Sequence, residues 1–121
     1  MATLPKRERL RGRDRIGELF EKGSRGVSGP VAARALANDL GITRVAAVAG
    51  KKIGNAVKRN ALRRRIRAAF RMQKAGALQG MDLALIARPG LLEASWQELM
   101  DAVQGAMAKA ARGLDPGRPH R

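Results

Sequence analysis

The chain has 121 residues, is 45% hydrophobic and carries a formal net charge of +15, from 25 Lys and Arg against 10 Asp and Glu. That length and apolar share suit one domain with a modest core. The charge favours a polyanionic partner, a nucleic acid or less often an anionic membrane surface. The lack of cysteine excludes disulfides and thiolate zinc sites and agrees with the cytoplasmic setting we expect. No apolar run approaches the roughly 18 residues of a membrane span.

The two ends of the chain are predicted to be irregular. Residues 1–13 form a predicted flexible basic arm, with five Lys or Arg against Glu8 alone. Such an arm is either a frayed terminus or a flexible phosphate contact, and its composition favours neither. Residues 14–112 are predicted as a single domain. The tail over 113–121 is rich in Gly, Pro and charged residues and is predicted to be disordered.

A short helix is predicted over 14–22. Asp14 is a candidate N-cap, and Gly23 is a suitable stop. Ile16, Leu19 and Phe20 share one face of this helix.

Strands are predicted over 31–37 and 44–49, joined by a turn around Asn38, Asp39 and Gly41, with a further short strand near Val27. An apolar run over 81–87 predicts a buried strand, which the following Pro-Gly pair ends.

A final helix is predicted to begin after Ser95, because Glu98 stands at the capping-box spacing from it. The apolar stripe of this helix would place its Trp in the core, and it consists of Trp96, Leu99, Val103 and Met107 or Ala106.

The most informative segment covers residues 51–74, which hold ten Lys or Arg and no Asp or Glu. Asn55 is a plausible N-cap for a helix that runs to about Lys74 and is closed by Gly76. At 100° per residue from Leu62, an apolar stripe spans about −20° to 80° and contains Leu62, Ile66, Ala69 and Phe70. A second face spans about 100° to 200° and contains Asn60, Arg63, Arg64, Arg67 and Arg71.

This second face predicts nucleic-acid binding. Solvated helix faces normally mix charge signs, whereas this one is purely cationic. Guanidinium forks bind phosphate oxygens with two hydrogen bonds and stack on bases. Arg65 falls outside the face, at about 300°.

Catalytic chemistry is missing from the chain. His120, in the tail, is the only histidine, and there is no Cys or Tyr. The ten acidic residues show no spacing that would gather a two-metal site, and the glycines do not match a nucleotide-binding loop. We therefore expect the protein alone to be inactive.

The basic segment resembles the protein subunit of bacterial ribonuclease P. The resemblance rests on Lys51-Lys52-x-Gly54-Asn55-Ala56-Val57-x-Arg59-Asn60, then Arg63-Arg64-x-x-Arg67 and Phe70-Arg71. The early Phe20-x-x-Gly23, the run from Asp82 to Pro89 and the order of the elements support it, over roughly residues 10–110.

The resemblance implies an α+β fold, a two-layer sandwich of a small central sheet with about three helices, the basic helix forming a left-handed βαβ crossover. Ordinary topology favours the right hand. It also implies the function. A large catalytic RNA holds Mg²⁺, and the holoenzyme hydrolyses one phosphodiester of precursor tRNA to remove the 5′ leader. The protein binds that RNA and the single-stranded leader, and it binds neither a membrane nor DNA.

The RNA-binding residues that follow are Lys51, Lys52, Asn55, Arg59, Asn60, Arg63, Arg64, Arg67 and Arg71. The leader cleft would be lined by Ile16, Phe20 and Arg34.

The chain departs from the family pattern at four of its positions. Ala61 stands where Arg is usual, and Arg65 is a candidate replacement for the lost phosphate contact. Ala68 stands where Glu is frequent. Ile16 and Arg34 stand where aromatic residues are common, so we expect this cleft to hold the leader more by charge than by stacking.

Three other readings of the charge remain open. A ribosomal-type protein would bind RNA structurally, with no role in cleavage. A DNA-binding helix-turn-helix needs a helix just before the recognition helix, where a strand is predicted here. A membrane-surface helix needs more bulky apolar area than the basic helix offers.

Overall fold

The computed structural model describes residues 5–73 and 80–114, which form three helices and a four-stranded mixed sheet. The elements in chain order are α1 (Arg13–Lys22), β1 (Ser24–Ser28), β2 (Val31–Ala37), β3 (Arg44–Val48), α2 (Ala56–Gln73), β4 (Met81–Ala87) and α3 (Trp96–Arg112). The predicted α+β class is confirmed, and so are all four strands, with β3 one residue shorter than expected.

The strands lie in the order β1-β2-β4-β3. β2 pairs antiparallel with both β1 and β4, and β3 pairs parallel with β4. The chain crosses from β3 to β4 through α2, so the basic helix lies in a βαβ crossover as expected. The left hand expected for this crossover stays a prediction. β4 is paired on both sides and is almost continuously apolar, as a strand buried on both faces should be.

One face of the sheet packs against α2 and α3 and holds the main core. The predicted apolar stripe of α2 is confirmed, because Leu62, Ile66, Ala69 and Phe70 are all buried. α3 approaches β1 so closely that a Cβ at Gly26 would lie 2.4 Å from the carbonyl oxygen of Ala106. Glycine at this position is therefore a packing requirement.

The opposite face carries a smaller cluster under α1. Leu19 of α1 packs with Ala46 of β3 and Ala84 of β4, and Leu10 completes the cluster. Leu10 is 5% exposed, and its backbone N–H donates to the Val45 carbonyl at 2.8 Å. The structure thus differs from the flexible arm expected over 1–13, because the chain is already fixed to the edge strand β3 at Leu10.

The predicted helix caps are confirmed for α2 and α3. Asn55 Oδ1 accepts from the backbone N–H of Lys58 at 2.9 Å, and Ser95 and Glu98 form the complete capping box. Asp14 as the cap of α1 is wrong. Gly12, with φ of 104°, precedes the helix and offers no side-chain cap, and Asp14 lies in the first turn, where its charge still suits the helix dipole.

Two further expectations need correction. Trp96, predicted to be core, is 41% exposed at the first residue of α3. Leu114, within the tail predicted over 113–121, donates its N–H to the Ala111 carbonyl at 2.9 Å and packs its side chain on the core, whereas residues 115–121 lie outside the described residues. The expected end of the basic helix, at Lys74 and Gly76, lies outside the described residues.

Candidate RNA interface and cleft

The cationic face of α2 is present as the sequence predicts. Arg64 and Asn60 are exposed, and Arg63, Arg67 and Arg71 are half-buried. One guanidinium nitrogen of Arg63 donates to Asn60 Oδ1, which fixes the two side chains relative to each other. Because α2 contains no acidic residue, no carboxylate within the helix neutralises this face.

Arg67 lies at the centre of the positive charge. Burial lowers the pKa of its guanidinium, and the positive charges of Arg9, Arg63 and Arg64 lower it further. Arg9 belongs to the N-terminal segment, where it forms a parallel bridge with Val45 at the edge of β3. The sequence did not single out Arg9 as a partner of α2, and only the folded segment brings it near Arg67.

The residues before α2 extend the positive surface. Lys51 and Lys52 are exposed in a 3-10 turn, Lys51–Ile53, that leads into the helix. Asn55 is exposed as well, but its side-chain oxygen is already used as the helix cap. Its amide nitrogen is the group that remains to donate to a ligand.

Arg59 and Arg65 lie away from the cationic face. Arg59 is half-buried, and its Nε is buried without an acceptor among the described residues. Arg65 donates to the Ala94 carbonyl at 3.2 Å, on the side of α2 that meets the start of α3. This contact opposes the idea that Arg65 replaces the phosphate contact missing at Ala61, since its guanidinium is directed at the protein.

The three residues expected in the cleft all belong to the face of the sheet that α1 partly covers. Phe20 of α1 is 40% exposed, and Ile16 is half-buried against the cluster beneath the helix. Arg34 of β2 is half-buried and donates to the Gly23 carbonyl at 3.4 Å. The structure thus places a partly exposed aromatic ring and a guanidinium on the same side of the sheet.

Sequence reasoning did not identify the part of the sheet surface that lies beside α1. A row of partly exposed apolar side chains, which we call the open strip, crosses all four strands and consists of Val27, Ala32, Ile86 and Val48. Arg25 of β1 pairs with Arg34 in the adjacent row. The buried-intermediate alternation in β2 could have identified Ala32 and Arg34 as neighbours on one face, but the pairing of the strands could not be read from it.

A buried carboxylate joins α1 to the sheet. Asp82 of β4 is 0% exposed. Its Oδ2 accepts from Arg15 Nε of α1 at 2.7 Å, and Arg44 of β3 donates to both oxygens, at 2.8 and 2.7 Å. Asn38 Nδ2 donates to Oδ1 at 2.8 Å. Burial alone would raise the pKa of Asp82, but the hydrogen bonds from Arg44, Asn38 and Arg15 outweigh it and hold the pKa below its ordinary value.

Residues 5–73 and 80–114 lack two other features, a cluster of metal ligands and a membrane-spanning helix. They contain no group of three or more His, Asp or Glu side chains placed to hold a metal ion. None of the helices described is long and apolar enough to cross a membrane.

Known proteins share this fold. The family model for ribonuclease P matches residues 4–111. A ribonuclease P protein component from Syntrophus aciditrophicus is 37% identical over 86 residues, covering 71% of this chain and 72% of that protein. One from Kocuria rhizophila is 33% identical over 109 residues, covering 90% and 96%. The solved RNase P protein from Thermotoga maritima superposes with a TM-score of 0.76 at 26% identity, covering 83% of this chain and 94% of that one.

The family match spans the described elements from the N-terminal segment into α3, and the match in three dimensions covers 83% of the chain. The chain therefore belongs to the family of ribonuclease P protein components, the protein part of an RNA-binding, tRNA-processing endoribonuclease.

Proposed function

We propose that this protein binds the catalytic RNA of ribonuclease P through the cationic face of α2 and holds the 5′ leader of precursor tRNA beside α1. The observation that carries the first part is the acid-free face of α2, with Arg67 at its centre. Crowded like charges raise the free energy of the unbound protein, and a phosphate backbone is the partner that relieves this repulsion.

Arg59 gives the RNA a second point of attachment at the start of α2. A buried N–H without an acceptor costs about 1–3 kcal/mol, and Arg59 Nε is in that position among the described residues. A phosphate oxygen or ribose hydroxyl reaching the Arg59 guanidinium would reorient it and supply the missing acceptor. Lys51 and Lys52, exposed in the preceding turn, add two further phosphate contacts.

The leader would lie along the open strip. Phe20 offers a partly exposed ring for stacking, and the apolar side chains of Ala32 and Ile86 offer a surface for bases. Arg25 and Arg34, paired across neighbouring strands, would hold the backbone phosphates. With one aromatic ring here, affinity for the leader would depend more on charge than on stacking, and so would fall steeply with salt.

Cleavage in this scheme needs no catalytic side chain from the protein. Mg²⁺ would be held mainly by the partner RNA, and α2 would strengthen its binding there by placing the RNA in one geometry and neutralising nearby phosphates. The whole assembly would work in the cytoplasm.

Binding of precursor tRNA by the protein–RNA complex tests this function. The complex should bind precursor tRNA carrying a 5′ leader more tightly than mature tRNA, whereas the RNA alone should discriminate much less. The protein should also prefer ribonuclease P RNA to a ribosomal RNA fragment of equal length at matched salt. Equal affinity for both RNAs, with no effect of the leader, would favour a structural RNA-binding protein.

A further inference from the structure

The attachment of α1 to the sheet depends on few side chains. Leu19 is the only buried residue of this ten-residue helix. The polar attachment comes from Arg15, whose Nε donates to Asp82 at 2.7 Å while a terminal nitrogen donates to the Ala37 carbonyl at 2.8 Å. One guanidinium therefore ties the first half of α1 to the beginning of β4 and the end of β2.

We propose that Arg15 is a positioning residue for the leader cleft, with the buried carboxylate of Asp82 as the fixed point that sets how far Phe20 stands from the open strip. This inference rests on the proposed function, because it concerns the geometry of the same cleft. Neither residue needs to touch the RNA for this role.

Asp82 is suited to be a fixed point because its carboxylate cannot turn. Arg44 binds both of its oxygens, and Asn38 binds the Oδ1. Asn38 is itself held, since its Nδ2 also donates to the Ile42 carbonyl at 3.0 Å and its Oδ1 accepts from the Leu40 N–H at 2.9 Å. Charge-assisted bonds of this kind are short and directional, so the Arg15 guanidinium meets an acceptor already fixed by the sheet.

The strand register shows where the contact between Arg15 and Asp82 lies relative to the open strip. Asp82 lies in the row of Leu36 and Arg44, two residues along each strand from Arg34, Ala84 and Ala46. The open strip is the next row in the same direction, which α1 leaves uncovered. Arg15 thus holds the first half of α1 at the Asp82 end of this face. Phe20, five residues farther along the helix, is 40% exposed.

Removal of Arg15 should act on α1 alone. Asp82 would keep both bonds from Arg44 and the bond from Asn38, so the sheet side of the network would remain satisfied. Removal of Arg44 should weaken the sheet side of the network and leave the hydrogen bond between α1 and Asp82 in place. Arg44 donates to Asp82 but makes no hydrogen bond to α1. The two arginines bind one carboxylate and are similarly exposed, at 26% and 29%, so each is a matched control for the other.

The experiment compares Arg15→Gln with Arg44→Gln in complex with ribonuclease P RNA. Affinity is measured for leader-bearing precursor tRNA and for mature tRNA, together with thermal stability and affinity for the RNA itself. We expect Arg15→Gln to weaken binding of the leader-bearing substrate about tenfold, the equivalent of one base contact, with mature tRNA and RNA affinity unchanged. Arg44→Gln should lower the melting temperature at least as much with a clearly smaller selective loss, because Asn38 and Arg15 still hold the carboxylate.

Equal leader-specific losses in both variants, tracking their melting temperatures, would overturn the proposal, and so would unchanged leader affinity in Arg15→Gln. If Arg15→Gln does not fold, Arg15→Lys replaces it, since it keeps the charge beside Asp82 but cannot also reach the Ala37 carbonyl. A selective loss in Arg15→Lys supports the proposal, and wild-type discrimination overturns it. Phe20→Ala separates the two claims: if it reduces leader affinity and Arg15→Gln does not, only the positioning role fails.

Discussion

The clearest prediction concerns Arg67→Met. Seven Lys or Arg belong to the predicted RNA-binding set, namely Lys51, Lys52, Arg59, Arg63, Arg64, Arg67 and Arg71. If each neutralises one phosphate, the affinity for RNA should fall with salt along a log–log slope of about 5 to 6 in magnitude. Loss of one contact should reduce that slope by about 0.7–0.9 and weaken binding about tenfold at physiological salt.

Arg67→Met should affect the stability of the free protein differently from its affinity for RNA. Arg67 is half-buried beside Arg9, Arg63 and Arg64, so its charge is held among like charges. Methionine keeps an unbranched apolar side chain in the same place and removes the charge. The melting temperature of Arg67→Met should therefore stay the same or rise while affinity for RNA falls.

The assay is equilibrium binding to ribonuclease P RNA over a series of salt concentrations, with thermal unfolding of the free protein. Arg65→Met is the matched control, because Arg65 lies on the same helix but donates to the Ala94 carbonyl. It removes the same charge and should leave the slope unchanged. Equal slopes for wild type and Arg67→Met, or equal changes in the Arg65 and Arg67 variants, would refute the assignment of the face.

Three further predictions follow from the same structure. Phe20→Ala should weaken binding of leader-bearing precursor tRNA by the complex and leave mature tRNA unaffected; equal losses for both would make the ring structural. Asp82→Asn should destabilise the protein by about 2–3 kcal/mol in denaturant unfolding at pH 7. Because the folded-state pKa of Asp82 is depressed, its contribution is complete above the unfolded value of about 3.9 and is lost as pH falls through the folded value. The gap between wild type and variant should therefore narrow below about pH 4, and a constant gap would contradict the ion-pair assignment. Ser95→Ala should lower the free energy of unfolding by about 1 kcal/mol by removing the capping box of α3. Ser28→Ala, which removes no helix cap, should lower it less.

The sequence alone predicted correctly those features that depend on a single helix. The buried and cationic faces of α2 follow from 100° periodicity alone, and Leu62 and Arg67 lie on the predicted sides. The caps at Asn55 and Ser95 follow from hydrogen bonds that span only three residues. Local geometry of this kind does not depend on the rest of the fold.

Trp96 shows where periodicity fails. Its position relative to Leu99 places it near the apolar face of α3, but helical spacing does not reveal how far the neighbouring layer extends beneath the helix. Trp96 begins the helix and keeps 41% of its surface exposed, whereas Val103 and Ala106, farther along, are fully buried.

The features of the sheet face that α1 partly covers depend on contacts between distant parts of the chain. Arg15, Arg44 and Asp82 are separated by up to 67 positions, and only the pairing of β3 and β4 and the placement of α1 bring them together. The open strip likewise requires the strand order β1-β2-β4-β3. Alternation assigns a residue to one side of its own strand, but it does not say which strand lies beside it.

We propose that this protein enables a catalytic RNA to process precursor tRNA. The most direct measurement is precursor-tRNA cleavage at low Mg²⁺ by a bacterial ribonuclease P RNA, with and without the protein. We expect cleavage at the mature 5′ end only when both are present, and no cleavage by the protein alone. Tight binding of the RNA without any stimulation of cleavage would contradict it and would indicate a purely structural RNA-binding role.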